Sequence, residues 1–125
     1  MSLPYVLERI KDIRPEVRVA AYAALYKAAD IRHLKPVMRA QVVQFGLRDR
    51  DEEVRTNALK LVLKWLHGLD YSVPKLLHLF NIGEYEEEAE IVGLTIMDEI
   101  ERGNNLTNKV KKQIQAHVPN WEGGE

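Results

Sequence analysis

The sequence predicts an all-α protein built as a helical-repeat solenoid of about three helix pairs. Two observations lead there. The stretches Asp12-Ile13-Arg14-Pro15-Glu16-Val17-Arg18-Val19-Ala20-Ala21 and Asp49-Arg50-Asp51-Glu52-Glu53-Val54-Arg55-Thr56-Asn57-Ala58 align without a gap at a spacing of 37 residues. The same alignment carries Ile10 onto Leu47, Ala21 onto Ala58, Leu25 onto Val62 and Lys27 onto Lys64, so the segments on both sides of the repeated loop share it. A fixed period of this size in a helix-rich chain implies stacked units, each too small to bury its own apolar face alone.

The elements follow in order. Ser2 is placed to cap a first helix with Pro4 in its first turn, and Leu3, Leu7 and Ile10 give it one apolar face, ending near Asp12. Pro15 opens a second helix whose buried stripe is read as Val17, Ala20, Ala21, Ala24, Leu25 and Ala28. Pro36 starts a third, with Val37, Ala40, Val43 and Leu47 at core spacing and Gly46 near its end. Asp51 caps the fourth, Glu52 and Glu53 favour its positive N-terminus, and Val54, Ala58, Leu61, Val62 and Trp65 continue the apolar face to a stop at Gly68. Ser72 and Pro74 open a fifth helix with Leu76, Leu77 and Phe80, broken around Asn81 to Gly83.

A sixth helix is expected from Glu86 to Arg102, with Ile91, Leu94 and Met97 or Asp98 at the repeated positions. Ile91 lies 37 residues after Val54, so the period recurs a third time, although Val92 stands where Arg18 and Arg55 stood and Glu86 replaces the loop Asp. The units are thus about 1–30, 36–68 and 72–102. Gly103-Asn104-Asn105 is a helix stop, a short basic helix capped by Thr107 is expected within 103–118, and 119–125 reads as a disordered tail.

Composition narrows the function classes. The chain of 125 residues is 46% apolar and 30% charged, with no apolar run near the ~20 residues a membrane helix needs. No basic-then-apolar leader opens it, and the absence of cysteine rules out disulfides, thiol catalysis and Cys-ligated metal. The net charge of −1 hides a division. Residues 1–64 carry thirteen Lys and Arg against eight Asp and Glu, whereas 65–125 carry five against eleven. A basic half of this kind suits a polyanion, or is simply a mixed, solvated surface.

Tetratricopeptide and ankyrin arrays have similar periods, but their signatures are missing. The pattern Asp-x-x-x-Glu-Val-Arg-x-x-Ala opening the second helix of a pair instead resembles repeats of the HEAT/armadillo class, at the short end of their usual ~40–47 residues. Leu3-Pro4, Glu8-Arg9-Ile10-Lys11-Asp12, Arg32-His33-Leu34, Met38-Arg39, Gly46-Leu47-Arg48-Asp49-Arg50, Lys64-Trp65-Leu66 and Leu76-Leu77 together resemble consecutive blocks of the G-type HEAT subunit of condensin (CAP-G). The resemblance covers about residues 1–102. Family subunits are many times longer, so it implies a fragment or a truncated homologue.

That resemblance implies a non-enzymatic module that binds a kleisin subunit and double-stranded DNA beside other condensin subunits, in chromosome condensation during mitosis, on the chromosome or in the nucleus, with the cytoplasm outside mitosis. It also implies that Asp12, Arg18, Asp49 and Arg55 form a hydrogen-bond ladder between adjacent units. Helical spacing leaves Lys27, Lys60 and Lys64 outside the core on the inner helices, with Arg48 and Arg50 at the turn. These five are the candidate DNA contacts, since a row of cations neutralises phosphates by counterion release without reading bases. Open solenoid ends also make self-association an expectation.

No catalytic residue, cofactor or metal site is expected. His33, His67, His78 and His117 are scattered with no pair one turn apart, and the acidic run Glu86 to Glu88 with Glu90 lacks calcium-loop spacing. Tyr22 and Tyr26 share a stripe with Arg18, which suits packing between units or an aromatic shelf for a peptide. Trp65 is core by spacing, whereas Trp121 falls in the tail. Two alternatives stand beside the condensin reading. One is a generic HEAT-type protein-interaction scaffold, favoured by the acidic second half. The other is a HEAT-like DNA glycosylase, which requires Asp98 or Glu99 to share a pocket with Trp65.

Overall fold

A computed structural model describes residues 2–80, 84–102, 108–110 and 112. Six α-helices run in the order α1 (Leu3–Arg9), α2 (Pro15–Ala28), α3 (Pro36–Leu47), α4 (Glu52–Gly68), α5 (Val73–His78) and α6 (Glu86–Glu101), with a 3-10 turn over Ile31–His33. There is no strand among the described residues. Residues 108–110 and 112 are helical, and Val110 is buried. The rest of the helix expected within 103–118, the break at Asn81 to Gly83 and the tail from 119 lie outside the described residues.

Local chemistry sets the helix starts. Pro4, Pro15, Pro36 and Pro74 occupy first-turn positions, where a missing N–H is harmless. Asp51 accepts a hydrogen bond from the Val54 amide at 3.1 Å and Ser72 from that of Lys75 at 3.4 Å, both as predicted. Ser2 occupies the cap position of α1 but makes no side-chain cap bond. Helix α1 also stops at Arg9, three residues short of Asp12, because the Lys11 and Asp12 amides turn back to the Glu8 and Arg9 carbonyls. Helix α4 ends at Gly68 as predicted, yet the left-handed residues are Asp70 and Tyr71, at φ 55° and 60°. The Tyr71 amide there reaches back to the Leu66 carbonyl at 2.8 Å.

Helix α1 packs on α2, α2 on α4, α3 on both α4 and α6, and α5 on α4 and α6. Helices α2 and α4 lie side by side in the same direction. Arg18 near the start of α2 bonds Asp49 just ahead of α4, and Lys64 late in α4 bonds the Tyr26 carbonyl late in α2. The core between them holds Ile10, Tyr22, Leu25, Val43, Val54, Leu61 and Leu66, and continues through Leu76, Phe80, Val92 and Ile96. Val92 is fully buried where the first two units have arginine.

Two predicted stripes are rotated. In α2 the buried residues are Arg18, Ala21, Tyr22 and Leu25, while Ala20 and Ala28 are exposed and Val17 and Ala24 half-buried. Alanine marks no face strongly, and the polar tips of Arg18 and Tyr22 disguised two core positions. In α6 the core face is Ala89, Val92, Ile96 and Glu99, with Ile91 beside it, whereas Leu94 and Met97 are 57% and 58% exposed. That helix leans on α3 and α5, so its flank toward α4 stays open. In α3, Ala40 and Val43 are buried and Leu47 half-buried as read, but Val37 is 45% exposed on the first turn.

Candidate functional site

The repeated Asp and Arg form one inter-unit rung. Arg18 Nε donates to Asp49 Oδ2 at 2.7 Å and Nη2 to Oδ1 at 3.0 Å, a bidentate fork. The side chains are only 9% and 7% exposed. Arg18 Nη1 also donates to the Asp12 and Ile13 carbonyls at 2.8 and 3.0 Å, and Asp49 Oδ1 accepts the Asp51 amide at 2.9 Å. Burial pushes the Asp49 carboxyl up, but the hydrogen bonds from Arg18 and the Asp51 amide, with the charges of Arg18 and Arg50, outweigh it and hold the group below the usual carboxylate range.

The second unit repeats half of this. Arg55 Nη1 donates to the Asp49 carbonyl at 2.7 Å, as Arg18 does to that of Asp12, but no carboxylate closes its fork among the described residues. Asp12 takes part locally instead, accepting the Arg14 amide at 2.9 Å and Arg14 Nε at 3.1 Å. Of the four ladder residues, only Arg18 and Asp49 therefore join two units through their side chains.

The five candidate cations fall into two groups. Lys27, Lys60 and Lys64 are exposed on the C-terminal halves of α2 and α4. Lys27 and Lys64 hold the same repeat position on neighbouring helices. The Lys64 ammonium donates to the Tyr26 carbonyl and lies 4.6 Å from the centre of its ring. Arg48 and Arg50 sit at the α3–α4 turn, ten to sixteen residues before Lys60 and Lys64, or roughly 15–24 Å at 1.5 Å per residue. Arg48 Nη1 contacts Glu87 Oε1 at 3.3 Å across to α6, both side chains being well exposed.

Three further residues set how these surfaces are held, and sequence reading assigned no role to two of them, Arg39 and Gly46. Arg39 is buried in α3, its Nε donating to the Ile31 carbonyl at 2.9 Å and its Nη1 to that of Leu79 at 2.8 Å. It ties the end of the first helix pair to the end of α5. Desolvation lowers its pKa, partly offset by the charge of Asp30. Tyr22, packed between units as one reading of its stripe expected, donates its hydroxyl to the Val42 carbonyl at 2.6 Å. Burial raises its pKa well above the ordinary phenol range. Gly46 is where α3 passes closest, since a Cβ there would lie 2.6 Å from both Ala58 Cβ and the Tyr22 ring. The available signal was a lone Arg and a lone Gly inside an apolar helix.

Trp65 is buried, with its Nε1 unpartnered, and faces a cavity of about 160 Å3 beside Asp30, Arg32 and His67. Asp98 and Glu99 instead line a separate groove of about 450 Å3 between α4 and α6, with Leu59, Leu94 and Arg55. Trp65 thus shares its cavity with neither Asp98 nor Glu99, the pairing a glycosylase reading requires. Among the described residues no three His, Asp or Glu side chains gather as a metal-binding group, and no helix is long and apolar enough to cross a membrane.

Sequence comparison supplies the family. The chain is 32% identical to condensin complex subunit 3 of Schizosaccharomyces pombe over 90 residues, or 70% of its length. It is 30% identical to the Homo sapiens protein of the same name over 89 residues, also 70% of the chain. Against the Xenopus laevis protein it is 30% identical over 111 residues, or 88% of the chain. The chain is a relative of condensin complex subunit 3. It spans about a tenth of these condensin subunits, 10%, 9% and 11% of their lengths respectively. No protein-family model matches the chain, and no solved structure matches it. The condensin likeness therefore rests on sequence.

Proposed function

We propose that this chain is a HEAT-type solenoid segment acting in a condensin assembly, organised as units of about 1–30, 36–68 and 72–102, and that it works by binding and not by catalysis. Its partners in this reading are a kleisin subunit, double-stranded DNA and other condensin subunits, and its place is the chromosome or nucleus. The observation that carries it is the similarity to condensin complex subunit 3 from fungi and vertebrates over most of the chain. The lysine surface supports the DNA part. Lys27 and Lys64 stand at one height on adjacent parallel helices, with Lys60 one turn away, which suits sequence-tolerant contact with a phosphate backbone. Arg48 and Arg50 lie at the other end of α4 and extend the same basic half.

A fluorescence-anisotropy titration of a short labelled duplex at several salt concentrations tests this. Binding is expected to weaken steeply with salt, and the triple variant Lys27→Glu, Lys60→Glu, Lys64→Glu should bind about tenfold more weakly or worse at low salt. No binding at low salt would leave the second reading, a protein-interaction scaffold without DNA affinity. Exposed Leu94 and Met97 beside the α4–α6 groove favour that second reading.

A further inference from the structure

At the loop end of the helix pairs, away from the lysine surface, the α1–α2 loop and the end of α3 with its following turn border a groove of about 490 Å3 whose rim includes Lys11, Ile13, Phe45, Arg48 and Arg50. Its two carboxylates are already engaged. Asp12 is held by Arg14, and Asp49 by Arg18 and the Asp51 amide. The groove therefore presents the charges of Lys11, Arg48 and Arg50 with no free acid between them.

Its apolar parts are exposed to an unusual degree. Ile13 is 87% and Phe45 38% solvent-accessible, and the Lys11 ammonium lies 5.5 Å from the centre of the Phe45 ring. Arg48 already accepts one acid from this chain, Glu87, so carboxylate is a ligand it takes. A phosphate backbone would use the cations but leave Ile13 and Phe45 in water. A peptide with acids flanking a large apolar side chain uses both, since a concave site of this volume seats one or two such side chains.

We propose that this groove docks an acidic peptide segment with an apolar anchor, its carboxylates on Lys11, Arg48 and Arg50 and its anchor against Phe45 and Ile13. The proposal goes beyond the DNA reading, sharing only Arg48 and Arg50 with it, and uses the opposite end of the helices from Lys27, Lys60 and Lys64.

The test uses the full chain and a short fluorescein-labelled peptide of glutamates around a central Leu-Phe pair, with two controls: glutamine in place of glutamate, and alanine in place of the pair. Only the parent peptide is expected to bind well. Either control, the double variant Arg48→Glu, Arg50→Glu, or the double variant Ile13→Ser, Phe45→Ser should weaken binding by about tenfold. The Lys27, Lys60 and Lys64 triple variant should leave it unchanged. All four groove positions are exposed, and matching thermal unfolding of variant and parent would exclude misfolding as the cause. No binding of the parent peptide, or binding indifferent to both groove variants, overturns the proposal. So does loss of duplex binding, and not of peptide binding, in Arg48→Glu, Arg50→Glu, which would assign this end to nucleic acid.

Discussion

Arg18 and Asp49, thirty-one residues apart, meet in a buried two-bond fork that joins the first helix pair to the second. A buried pair of this kind is weak evidence for net stability, but breaking it leaves a desolvated charge alone, typically at ~3–5 kcal/mol. Asp49→Ala should therefore destabilise the chain by about 3 kcal/mol, read by urea unfolding at neutral pH. Asp12→Ala, the repeat-equivalent change at a local and more exposed pair, should cost much less. Equal effects at the two positions would show that the fork does not bind the units together.

The same carboxylate sets an acid dependence. Asp49 is held below its unfolded value of about 3.9 by the arginine beside it. Its contribution is thus fully present above that value and lost as pH falls through the lower folded value. Asp30, held at about 2 by Arg32, acts in the same direction, but its pair is exposed and screened. Stability measured between neutral pH and about pH 3 should fall, and Asp49→Asn should flatten part of that fall.

Gly46 sits where α2, α3 and α4 crowd together. A methyl group there meets Ala58 Cβ and the Tyr22 ring at 2.6 Å, and the helix-bound Ala58 cannot swing away. Gly46→Ala should lose about 1–3 kcal/mol despite the better helix propensity of alanine. In a double-mutant cycle with Ala58→Gly, the combined loss should be smaller than the sum.

Arg39 offers a different kind of break. Arg39→Met keeps the packing bulk but strands the Leu79 carbonyl and removes one of the bonds at Ile31. The expected cost is about 2 kcal/mol. Hydrogen exchange should rise first around α5 and the Ile31–His33 turn, whose ends this guanidinium holds.

Recurrence marked Asp12, Arg18, Asp49 and Arg55 in the sequence, and the resemblance to HEAT repeats implied that they pair, which Arg18 and Asp49 do. Tyr22 and Arg39 have no such second copy, and Gly46 recurs only as Gly83, outside the described residues. Leu59 stands at the position equivalent to Tyr22, yet it borders the open groove beside α6 and not a closed junction. Helical periodicity fixes which residues share a face but not which neighbour covers it, and this is why the repeated positions of Leu94 and Met97 gave no sign that both are exposed. The five cations are exposed as read, and the turn position of Arg48 and Arg50 was legible too, but not the contact of Arg48 with Glu87 across to α6. Both facts depend on the order in which helices pack, and that order is not written within any single helix.

The fork has a direction. Arginine belongs to the earlier pair and aspartate to the later one, so donor and acceptor lie on opposite faces of a unit. Such a junction is heterologous, and head-to-tail stacking satisfies it at each step. A two-fold pairing of like ends cannot, because it sets Asp12 against its own copy and meets carboxylate with carboxylate. Val92 replaces the arginine in the third pair, so α6 offers no matching donor at its own repeat position. The rung thus gives the array a polarity, and a point-symmetric dimer would have to find its contacts on other surfaces.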